Sequence, residues 1–364
     1  MTATLDRAAG PAGAGPKRTA TRRRPPVMRF IARRALSTSF LLVGVTAAVF
    51  AVSRFVPTDP VVANLGTEAA QDPAIVEAYR EKHGLDQPLP VQYLTYLWRL
   101  LHGDLGQSIQ TGQAVSADLA ARVPATVELA LAAMIIALLV SIPLGTVAAL
   151  RRGKPSDKAV LGGTLLGMSA PSFWVGLVAL YLFFFRLGWV PGGGRLSLEY
   201  VPPPSRTHLY TVDALISGDV ALAMDAARHL VLPAAVLALP MIALLTRFVR
   251  SSILDVLGED YVRNARAKGL GEPTVIVRYV LRAAAPQILT VVGLALANAF
   301  VGTLLVEQVF SWPGMGSYAY QSAIRLDFPA VMGVCLVITV AYIIINLSVD
   351  LLYGVVDPRM RVTT

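Results

Sequence analysis

Long apolar stretches, separated by polar ones, organise this chain. They cover 36–56, 124–150, 159–185, 229–248, 286–309 and 328–356. About 20 apolar residues in a helix cross roughly 30 Å of hydrocarbon. The pattern therefore predicts an all-α polytopic membrane protein with six transmembrane helices. A cleaved signal peptide is the competing reading of 36–56. Its apolar run is long for one, and Ser53-Arg54-Phe55 is a poor cleavage context. Pro143, Pro171, Pro233 and Pro240 mark expected bends. Gly163 and Gly167, four apart, predict close helix packing.

The polar stretch 57–122 holds two amphipathic helices. One runs from an Asp72 cap through Pro73 to Gly84, the other from about Pro90 to His102, stopping at Gly103. On the second, Leu94, Leu97, Trp98 and Leu101 share a face. Such a helix suits a small packed cap, or an interfacial helix over the mouth of a pathway with Tyr93, Tyr96 and Trp98 near headgroups. The segment 188–229 is Pro/Gly-rich at its start and predicted helical near 213–224.

The longest charged interruption is 259–286. Glu259 and Asp260 lead, and Arg263, Arg266 and Lys268 follow, the order that complements a helix dipole. Gly269 stands where a left-handed C-cap is wanted. Glu272-Pro273 then opens a second short helix. The pattern is a helix–Gly–helix bracket at a membrane surface, suited to docking.

Composition sharpens the membrane assignment: 55% of residues are hydrophobic and only 15% charged, against about 25% charged in soluble domains. The net charge of +9 does not point to nucleic acid, because its distribution follows topology. With the N-terminus inside, 22 Lys and Arg fall in 1–35, 151–158, 247–284 and 357–364, and 8 fall in 57–122, 188–229 and 311–329. Cytoplasmic loops carry that excess, so both termini and the bracket are placed in the cytoplasm. Residues 1–35 read as a basic, largely disordered cytoplasmic tail, 36–56 as the first span, 57–122 as an extracytoplasmic cap region, and 124–364 as the membrane core. Arg22-Arg23-Arg24 suits topology or anionic membrane lipid.

Candidate chemistry is sparse. The single cysteine, Cys335, lies in an apolar block, and the four histidines are scattered, so no metal site is expected. Glu128, Glu307 and Asp350 fall at membrane depth, where acids default to functional hypotheses. Glu128 is placed to snorkel or to cap its helix, and Glu307 to hydrogen-bond the turn after it. Asp350 is placed to pair with Arg247, Arg250 or Arg359. With Trp312 and Met315 they are the candidates for a translocation pathway or gate. Ser169 with His229 is the one enzyme-like pairing, and no third group orients it. An ion-driven secondary carrier would want an internal repeat and paired intramembrane charges, which the halves do not show.

A set of segments in order along the chain resembles a known family. They include Val56-Pro-Thr-Asp-Pro60, Gly84-Leu-Asp-Gln-Pro-Leu89, Gly103-Asp-Leu-Gly-Gln-Ser108 and Arg122-Val-Pro-Ala-Thr-Val-Glu-Leu129. Further on come Pro171-Ser-Phe-Trp174, His229-Leu-Val-Leu-Pro-Ala234, Tyr261-Val-Arg-Asn-Ala-Arg-Ala-Lys-Gly-Leu270, Glu307-Gln-Val-Phe-Ser-Trp-Pro-Gly-Met-Gly316 and Asp357-Pro-Arg-Met-Arg361. From about residue 28 to 361 they resemble the permease subunits of type I ATP-binding-cassette importers (MetI-like fold), in the dipeptide/oligopeptide/nickel branch. The resemblance implies a non-catalytic subunit of the cytoplasmic membrane that binds no cofactor, with ATP and Mg on partner subunits. It implies a second homologous permease, two ATPase subunits or domains, and an extracytoplasmic substrate-binding protein. It makes 251–285 the coupling loop, whose helix would engage the ATPase through Asp260, Tyr261, Arg263, Ala265, Arg266, Ala267, Lys268 and Gly269. Small Ala265 and Ala267 would permit close approach, and the bases would meet acids. The chain has Arg263-Asn264-Ala265 where the wider family opens Glu-Ala-Ala, and Arg282 after Leu281 where it has proline; both departures favour the peptide branch. Nickel or another small solute stays open as the cargo.

Overall fold

The computed structural model describes residues 26–55, 71–83 and 86–356. Of the tail expected over 1–35, residues 1–25 lie outside the described residues, as do the segments 56–60 and 357–361, while 26–35 are helical and not disordered. The described residues form helices joined by turns, with one isolated β-bridge between Gln107 and Ala114.

Helix α1 (Pro26–Phe55) starts well before its apolar run. Helices α2 (Pro73–His83) and α3 (Leu89–Leu101) are the two amphipathic elements. Asp72 accepts from the Ala74 N–H at 2.9 Å, a side-chain cap for α2. Beyond α3, Gly103 has φ 76° and donates to Leu100 O at 3.0 Å. Helix α4 (Val115–Leu150) absorbs Pro124 and Pro143 and begins before its apolar run. Its first turns carry Asp118 and Arg122, so hydropathy alone hides them.

The expected third span, 159–185, is not one helix. It is α5 (Pro155–Ser169) and α6 (Ser172–Ala179), which runs on through a π-helical turn, Leu180–Arg186. The two arms meet at 97°. Pro171 has no N–H to donate, and Ala170 is held extended (φ −85°, ψ 126°) as a residue before proline must be. Five described helices are thus long and apolar enough to cross a membrane, and six spans result if the bent pair counts as one. Among the described residues Gly163 has no heavy atom within 4 Å of the place its Cβ would take, so the packing expected there does not form between them. Gly167 makes ordinary contacts with Ala243 and Leu239.

After α7 (Tyr210–Ile216) comes α8 (Val220–Leu257), capped by Asp219, which accepts from the Leu222 N–H at 2.9 Å. The helix expected near 213–224 is therefore divided between α7 and α8, at Gly218 (φ 75°). Helix α9 (Asp260–Ala267) is the bracket. The short helix α10 (Glu272–Thr274), which the sequence predicts as a separate element, does not stand alone. It passes through a π-helical turn, Val275–Leu281, into α11 (Arg282–Val309). Helices α12 (Met315–Ile324) and α13 (Phe328–Val356) complete the described chain.

Helix α8 is the axis: 61% of its most apolar window is buried, against 11% for α1, which lies at the edge. It packs on α4, α5 and α11. The larger core cluster joins Leu129, Ala133, Leu237, Met241, Leu245, Trp312 and Tyr318. A second, at the bracket end, joins Val249, Ile253, Val256, Val262, Ala265, Val275 and Val280.

Candidate functional site

The bracket is built as the charge order predicts. In α9, Val262 and Ala265 lie one turn apart and pack inward on α8 and on the π-helical turn before α11. The C-terminus closes with two bonds, Gly269 N–H to Arg266 O at 2.9 Å and Leu270 N–H to Ala265 O at 3.4 Å, with Gly269 at φ 77°. This is the Schellman pattern. Arg266 then forks onto Glu272 at 2.8 and 3.3 Å, tying α9 to α10. Asp260 and Arg263 pair at 3.0 Å in the open, a contact worth little by itself. Tyr261, Arg263, Arg266, Ala267 and Lys268 are exposed. Burial, then the neighbouring Glu259, push the Tyr261 hydroxyl above its ordinary value, so it stays a donor at neutral pH. One expectation is corrected. Ala265 is not on the free face; it is 4% exposed and part of the chain's own core. Nearby, Arg250 holds Asp157 through two bonds of 2.6 and 2.8 Å, joining α8 to α5.

The opposite end carries three buried acid clusters. Glu307 accepts from Thr126 Oγ1 at 2.6 Å and from the Ser317 N–H at 2.8 Å, so it does hydrogen-bond the turn that follows. Thr126 in turn accepts the Met315 N–H at 2.8 Å. Trp312 donates from its indole to Ala125 O at 2.9 Å. Glu128 is ion-paired with Arg195 at 2.5 Å and accepts from the Thr211 N–H and hydroxyl at 2.8 and 2.5 Å. The Arg195 guanidinium lies 3.5 Å over the Tyr210 ring. Asp118 accepts from Tyr318 Oη at 2.9 Å and Thr111 Oγ1 at 2.5 Å, while Asp327 accepts from Ser108 Oγ at 2.6 Å.

These bonds turn the expected gate residues inward. Glu307, Trp312 and Met315 are 0, 1 and 1% exposed, and Glu128 is 5% exposed. In this conformation they staple the 188–219 and 310–327 connections onto α4 and α11 and line no cavity described. A mostly apolar cavity of about 180 Å³ instead opens at the α5–α6 break, between Leu166, Ala170, Ser172, Val175, Leu239 and Pro240. Asp350 lies on α13, and Arg250, one base expected for it, is engaged by Asp157. Arg247 instead reaches Met168 Sδ at 3.2 Å. Ser169 bonds Leu165 O, and His229 bonds Asp225 O on its own helix, so the enzyme-like pairing is not assembled.

Against known families, residues 141–362 match the binding-protein-dependent transport system inner membrane component. Residues 27–130 match the N-terminal part of the same kind of membrane component. The chain belongs to this family. A "Probable D,D-dipeptide transport system permease protein" of Escherichia coli strain K12 is 44% identical over 88% of this chain and 94% of its own length. A di/tripeptide transport system permease protein of Pseudomonas aeruginosa strain UCBPP-PA14 is 41% identical over 92% of this chain and 99% of its own. Among solved structures, a chain of the inward-facing MetNI methionine transporter is similar over 66% of this chain and 96% of its own, at 14% identity and a TM-score of 0.49. The membership makes the chain a multi-pass inner-membrane component of a binding-protein-dependent transport system.

Several residues that shape this inner-membrane component carry no local signal in the sequence: Asp118, Asp157, Arg195, Asp213 and Asp327. Asp213 shows what such a residue does. It sits 1% exposed and accepts from Thr207 N–H at 2.8 Å, Thr207 Oγ1 at 2.7 Å and His208 N–H at 2.9 Å. Burial raises its pKa, but the hydrogen bonds from Thr207, Arg206 and His208 outweigh it, and the carboxyl lies below its ordinary value. A lowered folded pKa stabilises above the unfolded value of about 3.9 and is lost as pH falls through the folded one. The 206–209 turn should therefore stay clasped at neutral pH and through mild acid, and loosen only below about pH 4. Hydrogen exchange at the Thr207 and His208 amides reads this directly, and Asp213→Asn should loosen the same amides already at neutral pH.

Proposed function

We propose that this component is the permease subunit of an ATP-driven importer of di- and oligopeptides, forming half of the translocation pathway. The carrying observation is 44% identity to a D,D-dipeptide permease and 41% to a di/tripeptide permease, each over nearly the whole chain. The permease works beside a second, homologous permease. An extracytoplasmic binding protein delivers peptide to the end that carries 86–122, 188–219 and 310–327, and two ATPase subunits holding ATP and Mg sit at the bracket end. The distribution of Lys and Arg supports that sidedness. This subunit performs no catalysis of its own.

Helix α9 is the coupling element. Its exposed Tyr261, Arg263, Arg266, Ala267 and Lys268 face the ATPase. Val262 and Ala265, packed on Val249, Ile253 and Val256 of α8, carry a push on α9 into the axis of the bundle. Asp260 pairs with Arg263, and Gly269 fixes the angle at which the chain leaves α9. ATP binding shifts the permease pair between inward- and outward-facing states only through the different affinity of the ATPases for the two.

Reconstitution tests this. The permease, its partner permease and the ATPases in vesicles should take up labelled dipeptide only with ATP and binding protein. Uptake driven by an ion gradient without ATPases would overturn the importer reading; ATP-driven uptake of nickel but not peptide would overturn the cargo. Gly269→Val tests the coupling element. No heavy atom lies within 4 Å of the added Cβ, so the damage is backbone strain, and a β-branched residue at positive φ is an outlier. Uptake should fall sharply with the complex still in the membrane, and Gly269→Asn should retain most of it, because Asn tolerates the left-handed region. Full uptake by the valine variant would rule out the cap as a coupling device.

A further inference from the structure

Helix α3 has two apolar faces, and among the described residues only one has a protein partner. Its inner face packs on α1. Tyr93 Oη donates to Val43 O at 3.0 Å and lies 3.0 Å from Thr46 Oγ1. The Phe50 ring meets Tyr93 and Tyr96 at 5.4 and 6.0 Å between centroids. The tyrosines expected at headgroups therefore turn toward α1 instead. The outer face presents Leu94, Trp98 and Leu101 at 64, 65 and 82% exposed. Gln92, Thr95 and Arg99 form a polar rim along one side, and no acid occurs in the helix.

Depth decides what covers that face. The apolar window of α1 is Leu36–Ser53. Val43, Thr46 and Phe50 lie within it, so α3 is docked beside the hydrocarbon-crossing part of α1 and not beyond its end. Only 11% of that window is buried among the described residues, so at this level the chain leaves its surface open to lipid. We propose that α3 is an in-plane membrane helix whose Leu94–Trp98–Leu101 face enters the lipid bilayer at the leaflet where α1 ends. Such helices sink their apolar face about 5–10 Å into the boundary between headgroups and acyl chains. Arg99, at the rim, meets lipid phosphate, and Trp98 takes the interfacial position that suits an apolar body with one N–H. The face anchors the stretch that leads through Gly103 into the Ser108–Asp327 clasp, so the membrane sets the height of that clasp. This inference needs only the membrane assignment and is independent of the cargo.

Spin labels test it in the assembled transporter, in vesicles of phosphatidylethanolamine and phosphatidylglycerol. With Cys335→Ala as background, labels are placed by Leu94→Cys, Trp98→Cys and Leu101→Cys, and by Thr95→Cys on the rim. Collisions with oxygen, which concentrates in lipid, should exceed those with a water-soluble nickel chelate several-fold at the first three positions. The ratio should fall at Thr95. Chelate collisions dominating at all three would mean a face in water, open to a soluble partner. Low collisions with both reagents would mean a face covered by a second subunit. Either result overturns the proposal. As a check without labels, the fluorescence lost in Trp98→Phe should be the part that brominated lipid quenches in the native chain, and no quenching of that part would count equally against it.

Discussion

Arg195→Ala is expected to destabilise the chain by about 3–5 kcal/mol, the range for removing one partner of a buried ion pair. Arg195 and Glu128 are 7 and 5% exposed, and their side chains meet at 2.5 Å. Without the guanidinium, Glu128 keeps only the Thr211 N–H and hydroxyl, which do not neutralise a buried charge. The variant also loses the cation–π contact with Tyr210 at 3.5 Å and the bond to His208 O at 3.2 Å. Arg195→Lys should recover only part, because an ammonium neither stacks as a plane nor forks onto a carboxylate. The double variant Arg195→Met with Glu128→Leu should be markedly more stable than Arg195→Ala, since it leaves no charge buried. Thermal unfolding in detergent gives the ranking. Limited proteolysis should locate the first opening in 188–219, the segment that Arg195 holds to α4. Equal stability of Arg195→Ala and native protein would mean that this pair does not hold the connection.

The parts of the fold legible in the sequence are those with a local cause. Apolar runs marked the spans, and dipole order with Gly269 marked the bracket. Asp72 and Gly103 marked an end each of α2 and α3. What escaped had a cause elsewhere in the chain. Glu128 and Arg195 are 67 residues apart, Asp118 and Tyr318 200, Ser108 and Asp327 219. No period or spacing links them. The span at 159–185 was read as continuous because its composition is continuous; a single missing N–H at Pro171 bends it. Ala265 was assigned outward because small residues suit a docking face. Yet Val262 and Ala265 at i and i+3 are also the buried stripe of an amphipathic helix, and the structure uses them so. The same holds for Trp312 and Met315, which suit a gate by size but serve as core beneath Arg195 and Thr126.

Glu307 and the glycines after it form a unit whose coupling can be measured. A Cβ at Gly314 would overlap the Glu307 carboxylate, whose atoms are its three nearest neighbours. A Cβ at Gly316 would lie 2.6 Å from Leu304 Cα, 3.0 Å from Leu304 N and 3.0 Å from Glu307 Oε2, so there the tightest obstacle is backbone. Both alanine variants should lose about 1–3 kcal/mol or more by overpacking. Glu307→Ala should lose about 1–3 kcal/mol, because the buried Thr126 Oγ1 and the half-buried Ser317 N–H lose their acceptor. The combinations separate the two causes. Glu307→Ala removes the nearest obstacle at Gly314, so Gly314→Ala with Glu307→Ala should be more stable than the sum of the single losses. Gly316→Ala with Glu307→Ala should stay close to additive, because the Leu304 backbone remains. Interaction energies between touching residues run about 0.5–3 kcal/mol, so the contrast is measurable by thermal unfolding. If Gly316 were rescued and Gly314 were not, the carboxylate would not be the surface on which the turn after α11 is moulded.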